Sequence, residues 1–208
     1  MIAYTLPAQA YINKFIPKNK FFEKVVVNTK LKNEFVEQIQ KITWKYKLAE
    51  STLGIPKTQQ VEEIQLFEIQ LRQKMLPKTV LKLIDKAIPY PILYEFVYEK
   101  DIAYGISYQD NWNYNYYFSW WNPTIKFDMT AVNLEKLYQK LIALFITPDE
   151  DQHHDFEQLV SSDNKRKILE KEIATLHNKV RNEKQFKKQV ELNNKLLLKK
   201  KELQELIS

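Results

Sequence analysis

Four stretches of this chain alternate apolar and polar residues with a period of two, and three others repeat apolar residues with helical spacing before a long basic tail. The alternation begins at Thr43-Trp44-Lys45-Tyr46-Lys47-Leu48, after which Gly54 and Pro56 mark a loop. In Glu63 to Leu71, Phe67, Ile69 and Leu71 share one strand face with Gln65, and Glu68 and Gln70 fall on the other. Ile92, Tyr94, Phe96 and Tyr98 form one face of a third strand, and Ile102, Tyr104, Ile106 and Tyr108 one face of a fourth. Glu99-Lys100-Asp101 is the turn between them. A further strand over Tyr114 to Trp121 extends this meander.

Helical spacing links Leu31, Phe35, Ile39 and Ile42, with Asn28 or Thr29 as the cap. Val80, Leu83, Ile84, Ala87 and Ile88 predict a second helix that starts near Pro77 and stops at Pro89 and Pro91. A third runs from a Thr130 cap through Leu134, Leu137, Tyr138, Leu141, Leu144 and Phe145 to Pro148. Residues 1 to 27 read as an irregular arm ending in an extended Val25-Val26-Val27. The prediction is an α+β body, a mostly antiparallel four- or five-stranded sheet covered by helices. It is followed by a long C-terminal helix or a helical hairpin of coiled-coil type.

Charge divides the chain where the pattern does. Residues 161 to 208 carry 13 Lys and Arg against 7 Asp and Glu, while residues 1 to 160 carry 19 of each. The division is therefore a body over 1–148, an acidic linker over 149–161 and a basic helical tail over 162–208, which lacks both Gly and Pro. In the tail Leu169, Ile173, Leu176 and Val180 step by four, three and four residues, and Phe186, Val190 and Leu197 continue less regularly. A continuous helix here would reach about 70 Å. A hairpin folded near Asn178 to Asn182 would halve that, and both remain open.

Zero cysteines exclude a disulfide framework, a thiolate metal site and a Cys nucleophile. Only two glycines, Gly54 and Gly105, exclude a Gly-rich phosphate loop. The longest apolar runs are too short to span a bilayer and no leader pattern opens the chain, so the expectation is a cytoplasmic protein without membrane contact or cofactor.

Several segments carry a family likeness: Gln38 to Leu48, Glu63 to Ile69, Leu83 to Pro91, and Glu183 to Asn193. Together, and in order along essentially the whole chain, they resemble the bacterial domain-of-unknown-function family numbered 4391. The resemblance implies no reaction. It implies a context, since members tend to be encoded beside helicases and DNA methyltransferases in restriction-like or antiphage clusters. The aromatic segment Asp110 to Trp121 is richer in Tyr and Trp than the resemblance leads one to expect.

No residue set amounts to a catalytic or metal site. A restriction-type nuclease needs an acidic residue plus Glu-x-Lys on adjacent strands, and the nearest approach, Glu68-Ile69-Gln70, lacks the Lys. A degenerate metal-dependent nuclease using Glu63, Glu68 and Asp85 is the enzymatic alternative. His153-His154-Asp155 reads as solvated linker. The block from Tyr90 to Trp121 holds 13 of the 27 aromatics, but Lys100 is the only basic residue between Lys86 and Lys126. Partner contact through Trp112, Tyr117 and Trp121 is therefore preferred to base stacking.

The expected function is a non-enzymatic adaptor or accessory subunit of a DNA-acting helicase or methyltransferase complex in antiphage defence. A larger protein partner docks on that aromatic edge and on the tail seam of Leu169, Ile173, Leu176, Val180, Phe186, Val190 and Leu197, through which the chain also self-associates. The basic clusters Lys165-Arg166-Lys167, Lys187-Lys188 and Lys199-Lys200-Lys201 add weak, non-specific contact with nucleic acid.

Overall fold

The computed structural model describes residues 4–110, 113–147 and 155–207. They form two compact units, divided between Glu150 and Asp151.

The first unit is built on a six-stranded sheet in the order β1 to β6. These are β1 (Tyr11–Phe15), β2 (Ile39–Ala49), β3 (Glu63–Leu71), β4 (Ile92–Tyr98), β5 (Asp101–Asp110) and β6 (Asn113–Phe118). Every neighbouring pair is antiparallel except β3 and β4, which run parallel. A parallel pair needs a crossover, and α4 (Lys78–Ala87) supplies it. The remaining helices of this unit are α1 (Asn19–Lys24), α2 (Thr29–Gln38), the single turn α3 (Glu50–Leu53) and α5 (Leu134–Ile146).

The expected sheet lacked one strand, β1, inside what reads as an irregular arm. Its residues are exposed and do not alternate, Asn13 has a positive φ of 49°, and its register on β2 shifts between Tyr11 and Lys14. Ile39 and Ile42, read as helical by their spacing of three, lie instead in β2. A bulge between Ile39 and Lys41 lets both face the core. Asn28 caps α2 by accepting from the Leu31 amide at 2.8 Å. Asn133 rather than Thr130 caps α5, accepting from Lys136 N at 2.8 Å. The Thr130 amide and hydroxyl are both taken up by Asp128.

Both faces of the central strands are buried. Phe67, Ile69, Tyr94, Phe96 and Ala103 pack with Phe35 of α2 and with Val80, Leu81 and Ile84 of α4. The opposite face buries Ile64, Leu66, Leu93 and Ile106. There the ring series Tyr104, Phe127 and Phe145 leads to α5, with centroids 5.0 and 6.0 Å apart.

The second unit is a pair of helices, α6 (Phe156–Asn182) and α7 (Phe186–Ile207). The tail is thus a hairpin. Its break at Glu183 to Gln185 falls just beyond the Asn178–Asn182 expectation and needs neither Gly nor Pro. Gln189 Nε2 donates to the Val180 carbonyl at 3.1 Å, and the Gln185 amide donates to Glu183 Oε1 at 2.9 Å, which satisfies backbone groups freed where the chain leaves the helix. α6 begins at Phe156, inside the stretch read as linker, with Asp155 at its N-cap. His153 and His154 lie outside the described residues.

Candidate functional site

The aromatic edge of the body is a ladder. Register pairs Gly105 with Phe118 and Ser107 with Tyr116, and alternation places Tyr114, Tyr116 and Phe118 on the sheet face that carries Tyr94 and Phe96. Tyr114 stacks on Tyr116 at 6.3 Å and 26°, and Tyr116 on Phe118 at 6.2 Å and 13°. Gly105 makes room for this, because a Cβ there would stand 2.8 Å from Phe118 and 2.9 Å from Phe96. The Lys78 ammonium lies 5.3 Å from the Phe118 ring and Lys74 5.5 Å from the Trp121 ring. Lys74 also pairs with Asp101 at 2.6 Å.

Of the expected edge contacts, Trp112 lies outside the described residues, and Trp121 is partly buried against the core. Tyr117 requires a correction. It pairs with Ile106, falls on the opposite face and is only 5% exposed, so it packs within the fold instead of meeting a partner. Trp120, at 89% exposure, is the large aromatic that the expectation passed over.

Behind the ladder sits Asp85, a buried carboxylate held by hydroxyls. Oδ1 accepts from Tyr94 at 3.0 Å and from Ser107 at 2.9 Å, and Oδ2 accepts from Tyr116. Burial pushes its carboxyl up to about 6, and the three hydroxyl donors pull back against that rise. The Tyr116 and Tyr94 phenols are raised well above the usual value, chiefly by burial and then by the Asp85 charge. Tyr138 of α5 donates to the Ser107 carbonyl.

On the opposite face Glu68 and Glu95 are register neighbours across β3 and β4, with Lys45 of β2 between them. Lys45 Nζ lies 3.2 Å from Glu68 and also bonds Glu95, which accepts from Tyr4 OH at 2.8 Å. Burial alone would lower Lys45, but the hydrogen bond and charge of Glu95, then of Glu68, raise it above the ordinary lysine value. Tyr104, buried beside Glu95, is pushed up to about 12.

The three carboxylates of the enzymatic alternative do not meet. Glu63 pairs with Lys47 and takes a hydrogen bond from Gln65. Glu68 takes Lys45 and Gln70. Asp85 faces the Tyr94 side of the sheet, the reverse of the Glu68 side, since Glu68 is level with Glu95 and strand residues 94 and 95 point oppositely. Among the described residues no group of three or more His, Cys, Asp or Glu is placed to hold a metal ion.

In the hairpin, Leu169, Ile173, Leu176 and Val180 of α6 are partly buried, as a seam requires. On α7 the apolar residues of matching or deeper burial are Leu192, Leu196, Leu203 and Leu206. Phe186, Val190 and Leu197 are 79%, 43% and 55% exposed. At 100° per residue they centre about 120° around α7 from the Leu192-Leu196-Leu203 line. α7 therefore carries two apolar stripes, and those three expected seam residues belong to the uncovered one. The basic clusters are partly neutralised. Arg166 pairs with Asp163 and Glu170, Lys167 with Asp163, Lys199 with Glu172 and Glu202, and Lys201 with Glu205 at 3.8 Å. Lys165, Lys187, Lys188 and Lys200 are exposed.

Residues 5–203 match a family model described as a domain of unknown function (DUF4391). The chain belongs to that family. Comparison with curated proteins and with solved structures gave no match. Among the described residues no helix is long and apolar enough to cross a membrane.

Proposed function

We propose that the chain is a non-enzymatic adaptor or accessory subunit of a DNA-acting complex, and that the uncovered stripe of α7 is where a helix of the larger partner docks. The observation that supports this reading is the exposure of Phe186, Val190 and Leu197 in line on a helix whose other stripe already faces α6. A helix with an apolar line left in water gains when a partner helix covers it. Full burial is worth roughly 1.5 to 3 kcal/mol for each such side chain, so the three supply the apolar centre of a pairing whose remaining contacts must offset the cost of association. The gene neighbourhood implied by the family resemblance favours a helicase or methyltransferase as that partner. Self-association through the same stripe is the other pairing it permits.

The test is Phe186→Ser, Val190→Ser and Leu197→Ser in one chain, expressed with a tag in its own host. Co-purifying subunits and any dimer seen by sedimentation should be lost while the helix content seen by circular dichroism stays. An unchanged set of partners and an unchanged sedimentation coefficient would overturn the docking role.

The second reading, a metal-dependent nuclease, is favoured by one arrangement, the neighbouring Glu68 and Glu95 with Lys45. Two carboxylates and a lysine are the groups that metal-assisted phosphodiester cleavage uses. Here both carboxylates are engaged by Lys45, so a cation would have to displace it. Cleavage of single- or double-stranded DNA or RNA with Mg²⁺ or Mn²⁺, abolished by Glu68→Gln, would replace the adaptor reading with this one.

A further inference from the structure

The aromatic ladder of β6 lacks basic neighbours in sequence, and the fold supplies them. Lys78 of α4 reaches Phe118, while Asp85, seven residues on, reaches Tyr116. α4 therefore lies along the ladder. Lys78, Lys82 and Lys86 follow one another at i, i+4 and i+8, which puts them on one exposed ridge about 6 Å apart in rise. The helix has a single acidic residue, Asp85, and it is buried. The ridge is consequently of one sign.

We propose that this edge is a binding platform for single-stranded nucleic acid, with bases stacking on Tyr114, Tyr116 and Phe118 and phosphates following Lys78, Lys82 and Lys86. Three observations support this occupant. The rings are nearly parallel, at 26° and 13°, so they form one regular series of like-oriented rings rather than isolated contacts. β6 is the last strand of the sheet among the described residues, so none of the described strands flanks the ladder on its outer side, and Tyr114, Tyr116 and Phe118 are each only half-buried. The flank is cationic, which suits a polyanion and supplies the charge that stacking on aromatics otherwise lacks.

The platform is also held in place before anything binds. Asp85 fixes the Tyr116 hydroxyl, and the missing side chain at Gly105 lets Phe118 lie close to the sheet. Lys78 over Phe118 is no obstacle, because an exposed ammonium on a ring is held weakly and swings readily to a phosphate. Such a site reads stacking and charge and shows little base preference. A duplex cannot use it, since its bases are already stacked.

The full chain is titrated into fluorescein-labelled oligo-dT, oligo-U and a DNA duplex of equal length, with anisotropy as the readout. Single strands should bind at least tenfold more tightly than duplex. The dT and U arms tell DNA from RNA, and preference for either supports the platform. Lys78→Gln, Lys82→Gln and Lys86→Gln together should weaken binding at least tenfold and reduce the log-log salt slope by about 2, as expected for three phosphates on a single strand. Tyr114→Leu, which keeps apolar bulk, should weaken binding about tenfold with the salt slope unchanged. Duplex bound as tightly as single strands, no binding by the unmodified chain, or binding lost only when Lys187, Lys188, Lys199, Lys200 and Lys201 are changed to Gln would each overturn the proposal.

Discussion

Asp85→Asn removes one charge from a buried site without changing its shape. The carboxylate rests among three hydroxyls, with its carboxyl pushed up to about 6 from an ordinary 3.8. A folded-state value above the unfolded one means that the native protein binds the proton more tightly. Stability from this group is then full below the unfolded value and is lost as pH rises through 6. The gap of about two pH units, at 1.36 kcal/mol each, corresponds to about 3 kcal/mol over the whole titration, of which about 2 kcal/mol falls between pH 4.5 and 7.5. Exposed carboxylates such as Asp128, held down to about 2 by Lys140, act in the opposite sense at lower pH, so the unmodified protein alone does not isolate the effect. The difference between it and the Asn variant does. Urea unfolding followed by tryptophan fluorescence reports on the body alone, because Trp44, Trp112, Trp120 and Trp121 all precede residue 150. Relative to the variant, the unmodified protein should lose about 2 kcal/mol from pH 4.5 to 7.5. A difference that does not change with pH, or that moves in favour of the unmodified protein as pH rises, would refute the reasoning that burial outweighs the three hydroxyl bonds.

Three further outcomes follow from the same packing. Gly105→Ala should destabilise the body by about 1 to 3 kcal/mol, because its Cβ would meet two ring systems under 3.0 Å; the same fluorescence titration measures it, and an unchanged midpoint would mean that Phe118 moves aside at no cost. Lys45→Met should cost about 2 to 3 kcal/mol by leaving buried Glu95 with the Tyr4 hydroxyl and no cation; adding Glu95→Gln should recover much of it, and a double variant as unstable as the single would show that the lysine stem mattered through packing. Leu196→Asp should melt the hairpin, seen as lost ellipticity at 222 nm, while tryptophan fluorescence of the body holds, since Leu196 is 4% exposed and a carboxylate there replaces apolar burial with a desolvated charge.

The legible parts of the fold were those where side chains alone decide the pattern. Alternation located β3, β4 and β5 although both of their faces are buried, because Glu68, Gln70, Glu95 and Ser107 interrupt the apolar run at alternate positions, and Pro77 with Pro89 bracketed α4. The errors arose where backbone irregularity imitates another period. The bulge in β2 gives Ile39 and Ile42 a helical spacing of three, and its repeat between Trp44 and Tyr46 puts successive residues out of phase. β1 has no buried side to alternate with. The parallel pairing of β3 and β4 is a matter of connection, not of composition. On α7 two apolar stripes compete, and the larger Phe186 drew the seam to the exposed one, although Leu192, Leu196 and Leu203 fit heptad spacing as well.

The same limit separates the aromatic edge from its charges. Counting basic residues near the ladder along the chain finds almost none, yet Lys78 stands over Phe118 because the β3-α4-β4 crossover returns the chain beneath β6, two strands beyond β4 in the sheet. α4 carries three properties on three of its sides. Leu83, Ile84 and Val80 hold it to the sheet, Asp85 anchors Tyr116 by hydrogen bond, and the lysines face water. That division accounts for the presence of hydroxyls at both Tyr94 and Tyr116, where Phe would fill the same space: a buried carboxylate without donors would be a large cost, and these two phenols together with Ser107 supply them. A carboxylate at that position contributes little to stability at neutral pH. What it does contribute is a fixed orientation for the middle ring of the ladder, which an apolar residue at position 85 would not give.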